Sequence, residues 1–276
     1  MLGGGRMGAG IAHAFLLAGS RVTVVERDAD AAAAASAKVL ASVAASVDRG
    51  TADEAADVIS ARFSTSTDVA AFAPCSLVVE AVPEQLDLKI DALTRVEAVL
   101  ADDAALASNT SSISIDELAA LLDRPSRFLG THFFNPVPAS TLVEIVRGAA
   151  TDEALVDEAR AWVHAIGKTP IVVADAPGFA SSRLGVALGL EAIRMLEEGV
   201  ASAEDIDRAM TLGYKHPVGP LRLTDLVGLD VRLGIAEYLA ANLGPRFEPP
   251  ALLRRMVAEG RLGRKTGEGF TSWDAS

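Results

Sequence analysis

The chain has 276 residues, half of them hydrophobic, and carries a formal net charge of −12. A chain of this length buries one large core or two smaller ones, and its negative charge argues against nucleic acid or an anionic membrane as the main partner. The sequence shows no signal-peptide pattern and no apolar run of the roughly 20 residues that span a membrane. The single cysteine, Cys75, has no partner for a disulfide or a zinc site. These features predict a cytoplasmic protein without a bound metal.

A glycine-rich segment opens the chain, with the pattern Gly-x-Gly-x-x-Gly at Gly3, Gly5 and Gly8. Such a loop before a helix, here predicted over 11–17, lets backbone amides approach a pyrophosphate at the helix N-terminus. The strand pattern over 21–25 ends in Glu26, at the distance where an acidic residue binds the ribose 2′-hydroxyl. Because a carboxylate repels a 2′-phosphate, the sequence favours NAD over NADP, although Arg27 leaves NADP open.

The first strand of a dinucleotide-binding domain should precede Gly3, yet only Met1 and Leu2 stand there. A central strand of two residues is too short. We therefore hypothesise that the natural protein begins several residues earlier, which mass spectrometry of its N-terminus would test.

Helix and strand patterns then alternate over the first two thirds of the chain. Strand patterns occur at 22–25, 77–79, 105–107, 128–131, 142–146 and 171–173. The alanine-rich span 29–45 is predicted to be helical, since Val39, Leu40 and Val43 give it an apolar side. The alternation predicts a Rossmann-type α/β domain with a mostly parallel sheet over residues 1–176.

The pattern changes at Pro177-Gly178, after which helical signals dominate. Helices are expected over 182–198, 203–212 and 223–243, separated by glycine and proline. We expect an all-α C-terminal domain over residues 177–276. Its many apolar positions permit one face to be buried against a second subunit.

Two ionisable residues, His132 and Glu144, lie inside otherwise apolar strand patterns. A carboxylate in such a setting costs several kcal/mol unless it is paired, and an imidazole is the obvious partner. A histidine held by a carboxylate is typical of a general base. A structural ion pair fits the same pattern, so these two residues alone do not decide between the two interpretations.

The segment Ser108-Asn109-Thr110-Ser111-Ser112 follows a strand pattern, at the sheet edge where ligand-binding loops lie. Taken alone, it is better explained by Ser112 or Ser114 capping a helix around 116–122.

The combination of motifs resembles the L-3-hydroxyacyl-CoA dehydrogenases, and among them the bacterial 3-hydroxybutyryl-CoA dehydrogenases. The resemblance covers the whole chain in order. It is carried by the glycine loop through Ala12, the serine segment 108–112, the segment 132–138, Glu144, Pro177-Gly178-Phe179 and the segment 263–270.

This resemblance implies reversible, NAD-dependent oxidation of a short L-3-hydroxyacyl-CoA to the 3-oxoacyl-CoA, in β-oxidation or in 3-hydroxybutyryl-CoA metabolism. By resemblance, His132 is the general base, Glu144 orients it, and Ser111 binds the reacting oxygen or the nicotinamide side. A homodimer through the C-terminal domain is also implied.

The resemblance also assigns binding residues. For NAD they are Gly3, Gly5, Met7, Gly8, Glu26, Glu84, Lys89, Asn135 and Lys265. For coenzyme A they are Ser42 and Arg49, which share one helix face with Lys38 at spacings of four and seven. Ser182 stands where the family usually has a substrate-contacting asparagine, and this departure puts the acyl-chain preference in doubt.

Three other interpretations remain at this point. The β-hydroxyacid dehydrogenases share the glycine loop and helical domain but use an inter-domain lysine, and the stretch 190–194 contains none. A related branch oxidises a sugar acid and includes lens crystallins. A catalytically silent, NAD-binding structural protein is the third.

Overall fold

Two compact units make up the chain in the computed structural model, which describes residues 1–273. Unit 1, Met1–Asp175, combines a sheet with helices, and unit 2, which begins at Ala176, is helical. The predicted order of an α/β domain followed by an all-α domain is confirmed.

The strands of unit 1 are β1 Val22–Val25, β2 Phe63–Ser66, β3 Leu77–Glu80, β4 Ala105–Ser108, β5 Phe128–Phe133, β6 Leu142–Arg147 and β7 Thr169–Ala174. Its α-helices are α1 Arg6–Leu17, α2 Ala29–Asp48, α3 Ala56–Ser60, α4 Leu86–Glu97, α5 Ile115–Ala119 and α6 Glu153–Ala165. The sequence patterns located six of these strands, and only β2 was missed.

The strands β3, β4, β5, β6 and β7 form one ladder in that order, and β1 pairs with β2. All pairs are parallel except β5 with β6, which is antiparallel. The sheet is therefore mostly parallel, as predicted. Consequently the carboxyl ends of β3, β4 and β5 lie at one edge, where open α/β sheets bind their ligands.

Leu2 joins the two ladders, because it forms parallel bridges to both Val25 and Glu80. A single residue thus occupies the position that a longer first strand was expected to fill. Beside it lies a cavity of about 610 Å³, whose lining includes Thr23 and Leu77. None of the predicted site residues lines this cavity.

Helix α2 begins at its cap Asp28, whose carboxylate accepts a hydrogen bond from the Ala31 amide at 2.7 Å. By length and composition it could span a membrane. However, its apolar side, which includes Ala35, Val39 and Val43, packs into the core of unit 1. In that core its burial is that of an ordinary amphipathic helix.

Unit 2 contains α7 Ser181–Glu197, α8 Ala203–Arg208, α9 Pro220–Val227, α10 Leu229–Leu243 and α11 Ala251–Ala258 around a core of its own. Two details differ from the prediction. The helix expected over 203–212 changes to a π-helical turn at Ala209–Gly213. The helix expected over 223–243 is two helices, because Gly228 adopts φ +104°, which ends α9 before α10 begins.

Buried Asp225 holds the glycine-rich segment 263–270 in place. Its carboxylate accepts hydrogen bonds from the backbone amides of Phe270 and Thr271 and from the Trp273 indole nitrogen, at 2.8–3.0 Å. A Cβ at Gly263 would lie 2.3 Å from the Asp225 carbonyl oxygen. The segment is thus held against α9 by one carboxylate and needs glycine where the backbones meet.

Candidate active site

The pair His132 and Glu144 lies on the antiparallel strands β5 and β6, where the two residues are direct register partners. Nδ1 of His132 and Oε2 of Glu144 are 2.7 Å apart. Both residues are buried, with 5 % and 0 % of their surfaces exposed. An ionised Glu144 carboxylate would only accept a hydrogen bond, so Nδ1 would carry the proton and this contact would fix the tautomer and ring orientation of His132.

Ser111 lies in the loop that follows β4, at the carboxyl edge of the parallel strands, and its residue is exposed. The carboxylate of Glu84 holds this loop. Its Oε1 accepts hydrogen bonds from the Thr110 hydroxyl at 2.6 Å and from the amides of Ser111 and Ser112 at 2.9 and 3.0 Å. Of the two serines that could cap the following helix, Ser114 is the N-cap of α5 and Ser112 is not.

A further hydrogen bond connects the same loop to β5, the strand that carries His132. Oδ1 of Asn109 accepts a hydrogen bond from the amide of Phe133 at 3.0 Å. Phe133 follows His132 directly, so the loop and the end of β5 are fixed to each other. Sequence reasoning did not single out Asn109, although it lies within the serine segment.

Behind the loop lies a buried ion pair. The Lys89 ammonium is 2.8 and 2.9 Å from the two carboxylate oxygens of Glu80, and these residues are 1 % and 0 % exposed. Lys89 also lies 3.3 Å from the Glu84 carboxylate. Glu80 was missed in the sequence, where it is simply the residue that ends the apolar strand pattern 77–79.

Glu84, which lies between β3 and α4, is the titratable group beside this loop whose pKa is clearly shifted. Burial raises the pKa of its carboxyl, but the charge of Lys89 and the hydrogen bonds from Thr110 and Ser111 outweigh that effect. The pKa of Glu84 therefore lies below its usual value, and the carboxylate is ionised at neutral pH.

The glycine loop packs closely against the start of α1 and leaves one backbone position open. A Cβ at Gly8 would lie 1.8 Å from the Gly3 carbonyl oxygen, so helix and loop touch backbone to backbone. A Cβ at Gly5, the N-cap of α1, would meet nothing within 4 Å. The opening at Gly5 faces the first turn of α1, whose backbone amides are the usual anion donors.

Glu26 ends the strand β1 and reaches back to this loop, where its Oε1 accepts a hydrogen bond from the Gly4 amide at 2.6 Å. Its carboxylate therefore lies beside the glycine loop, directly before the N-terminus of α1. The residues present fit a dinucleotide with an unphosphorylated ribose. Met7 is partly buried and packs against the core.

Comparison with known proteins gives the family. Residues 1–176 match the model of the 3-hydroxyacyl-CoA dehydrogenase NAD-binding domain, and residues 178–273 match the C-terminal domain of the same enzymes. The chain belongs to the 3-hydroxyacyl-CoA dehydrogenase family. It is an NAD-dependent oxidoreductase, and NAD is its cofactor.

Individual relatives are similar to this chain over nearly their full length. A probable 3-hydroxybutyryl-CoA dehydrogenase of Deinococcus radiodurans is 40 % identical, covering 98 % of both chains. The 3-hydroxybutyryl-CoA dehydrogenase of Mycobacterium tuberculosis is 41 % identical over 99 % of this chain and 97 % of its own. The crystal structure of the (S)-3-hydroxybutyryl-CoA dehydrogenase of Ralstonia eutropha superposes with a TM-score of 0.94 at 39 % identity, covering 99 % and 98 % of the two chains.

The remaining residues that the sequence predicts for the site lie in three places. Asn135 is exposed in the loop after β5. Ser42 and Arg49 lie on α2 and at its C-cap, and the Ser42 hydroxyl donates to the Lys38 carbonyl one turn earlier. In unit 2, Ser182 is in the first turn of α7, and Lys265 pairs with Asp230 at 2.5 Å.

Arg49 also lines a cavity of about 580 Å³ in unit 1, together with His13 and Lys168. His13 is buried and its Nε2 lies 3.0 Å from the Ser46 hydroxyl, which ties α1 to α2. Across the described residues 1–273, no cluster of three metal-ligating side chains is found.

Proposed function

We propose that this dehydrogenase oxidises short-chain L-3-hydroxyacyl-CoA, such as 3-hydroxybutyryl-CoA, with His132 as the general base. The observation that supports the proposal is the 2.7 Å contact between His132 Nδ1 and buried Glu144. With Nδ1 held by the carboxylate, Nε2 is the nitrogen that takes the proton of the C3 hydroxyl.

The proposed reaction removes a hydride and a proton from the C3 alcohol. The C3–H bond breaks with its electron pair, the O–H proton passes to Nε2 of His132, and C3 becomes a ketone. NAD supplies the hydride acceptor when it is bound. His132 becomes an imidazolium, and the Glu144 charge stabilises that form more than the neutral ring. Ser111 would hydrogen-bond the reacting oxygen, since a hydroxyl can serve both alcohol and ketone.

Binding roles complete the proposal. The glycine loop with Met7 and Glu26 would contact NAD, together with Glu84, Lys89, Asn135 and Lys265. Ser42 and Arg49 would contact coenzyme A, because a chain with net charge −12 needs local cations for a polyanion. Ser182 would contact the substrate in place of asparagine, with a shorter reach that favours a water-mediated hydrogen bond.

We further propose a cytoplasmic enzyme that forms a homodimer through unit 2. Support comes from the large hydrophobic residues that are exposed within residues 1–273, of which seven lie in unit 2 and four in the longer unit 1. Exposed apolar surface of this kind is typical of subunit interfaces.

The proposal is tested by adding acetoacetyl-CoA and NADH to the purified protein and following the loss of NADH absorbance. We expect turnover, and we expect His132→Gln to lower kcat by about 10²- to 10⁴-fold with NAD affinity nearly unchanged. Absence of turnover despite NAD binding would favour a catalytically silent protein. Full activity of His132→Gln would refute the assignment of the base.

A further inference from the structure

We propose that Arg232 of α10 binds a free carboxylate at the far end of the substrate's acyl chain, so that a short 3-hydroxyacyl-CoA with a second carboxyl group is the preferred substrate. This assignment rests on the proposed function, in which Ser182 contacts the substrate. It names the chemical class of the acyl group, which the departure at Ser182 leaves open.

Arg232 is a cation on the apolar side of its helix. Only 5 % of its surface is exposed. Leu229, Ala236 and Leu239, at spacings of three, four and seven from Arg232, are buried on the same side of α10 and belong to the core of unit 2. A methionine here would fill similar space without the cost of burying a charge. Packing alone therefore does not account for a guanidinium at this position.

Unit 2 supplies no counter-charge to this guanidinium within residues 1–273. Nε of Arg232 has no hydrogen-bond partner there. Of the two acidic residues on α10, Asp230 pairs with Lys265. The other, Glu237, pairs with Arg254. Burial lowers the pKa of Arg232 to about 10, and no neighbouring charge opposes that shift. The side chain is still a cation at neutral pH, so it presents a buried positive charge that lacks its acceptor.

Helix α7 makes room for the guanidinium at Gly185. A Cβ at Gly185 would lie 3.2 Å from Nη1 of Arg232. Ser182 lies three residues earlier on α7 and therefore on the same helix face. Three residues advance a helix by about 4.5 Å. The guanidinium thus lies about one helical turn from the residue proposed to contact the substrate, and both positions on α7 carry a small side chain or none.

The chemistry of a guanidinium selects the ligand. Its planar N–H donors bind a carboxylate through two parallel hydrogen bonds. A phosphate fits the same donors, but the phosphates of coenzyme A lie at the opposite end of the substrate from the acyl tail. In a six-carbon chain the terminal carboxyl carbon lies three bonds beyond C3, which is comparable with the distance between Ser182 and Gly185. An uncharged tail of that length would leave the charge of Arg232 unpaired.

Two probes of equal carbon number test this assignment. The enzyme is given 3-oxoadipyl-CoA, which ends in a carboxylate, or 3-oxohexanoyl-CoA, which ends in a methyl group, and the loss of NADH is followed. Acetoacetyl-CoA serves as the reference for the proposed function. A hydrogen-bonded charge pair is typically worth about 10- to 10²-fold in affinity. We expect kcat/KM of the wild-type enzyme to favour 3-oxoadipyl-CoA by about that factor.

Arg232→Met keeps the length of the side chain and removes its charge, so the preference for 3-oxoadipyl-CoA should disappear. Because the variant removes a buried charge without a partner, its melting temperature should not fall, and unfolding would not explain the loss. Arg208→Met is the matched control. Arg208 lies on α8, is exposed and pairs with Glu204 at 2.6 Å. It removes the same charge from unit 2 and should leave the preference unchanged.

Binding of unreactive analogues separates this assignment from the proposed function. Adipyl-CoA and hexanoyl-CoA lack the 3-oxo group, so titration into the NAD-loaded protein measures affinity alone. Wild-type protein should bind adipyl-CoA more tightly by about 10- to 10²-fold, and Arg232→Met should not, whether or not acetoacetyl-CoA is reduced.

Three results would overturn the assignment. One is reduction of acetoacetyl-CoA without a preference for either carboxylated probe, which would leave the proposed function intact. Another is an equal loss of the preference in Arg208→Met. The third is an Arg232→Met protein that loses its dimer but keeps the preference, since the acceptor of Arg232 would then come from a second copy of the chain.

Discussion

At the scale of single residues, Glu144 is the carboxylate whose charge matters most to the proposed chemistry. It is fully buried and faces His132 across the antiparallel pair β5 and β6. Glu144→Gln preserves the shape of the side chain but removes the charge that stabilises the imidazolium. We expect kcat to fall by about 10²- to 10⁴-fold and KM to change much less, since the charge acts when the proton has moved.

Steady-state kinetics with acetoacetyl-CoA and NADH measures this split between kcat and KM. The control is Glu97→Gln. Glu97 is a buried carboxylate on α4 that accepts hydrogen bonds from the amides of Asp123 and Arg124, and neutralising it in the same way should leave kcat unchanged. If Glu144→Gln raised KM alone, the carboxylate would be a binding group and the general-base assignment would lose its support.

The sequence predicts residues of this kind only when their partners lie in recognisable patterns. His132 and Glu144 both interrupt apolar strands, so their pairing could be expected before the structure. The surroundings of Lys89 could not, because a lysine early in an amphipathic helix is ordinarily solvated. Only the fold shows that Glu80 and Glu84 both reach its ammonium.

At the scale of elements, the start of α1 offers a matched pair of glycines. At Gly8 an added Cβ would meet the Gly3 carbonyl at 1.8 Å, whereas at Gly5 it would meet no protein atom within 4 Å. Gly8→Ala should therefore displace the loop and lower both thermal stability and NAD affinity. Gly5→Ala should leave the melting temperature unchanged and weaken NAD binding, since its methyl group would take space needed by the pyrophosphate.

Differential scanning calorimetry and NAD titration of the two variants measure the two effects separately. Tight NAD binding by Gly5→Ala would show that the pyrophosphate does not approach this backbone. A normal melting temperature for Gly8→Ala would show that the helix and loop can separate at little cost.

Elements were predictable from sequence where their hydrophobic pattern matched their burial. The missed strand β2 is an exception for a physical reason. Its residues Phe63–Ser66 are largely polar and half exposed, as is typical of an edge strand, so they show no hydrophobic pattern. The break at Gly228 was missed because the apolar helical pattern continues across it. A left-handed backbone at one glycine leaves no trace in that periodicity.

At the scale of the whole molecule, composition and the alternation of patterns were enough to predict two domains of different class. They could not predict where the surface would be apolar, because that depends on which helix faces remain uncovered. Leu184 and Leu212 of unit 2 are each 70 % exposed, among seven exposed large hydrophobic residues in the described part of that unit. Such side chains are costly on a monomer in water and stabilising in an interface.

We therefore expect the wild-type protein to elute as a dimer, with twice the mass of one chain by light scattering. Leu184→Asp and Leu212→Asp introduce a charge that an apolar interface cannot accommodate without a partner. At least one of them should shift the equilibrium to the monomer at micromolar concentration. Leu121→Asp is the control, since Leu121 is 55 % exposed in unit 1, and it should leave the dimer intact. A wild-type monomer would refute the predicted dimer, whereas a dimer that is disrupted by Leu121→Asp but by neither variant of unit 2 would place the association surface outside unit 2.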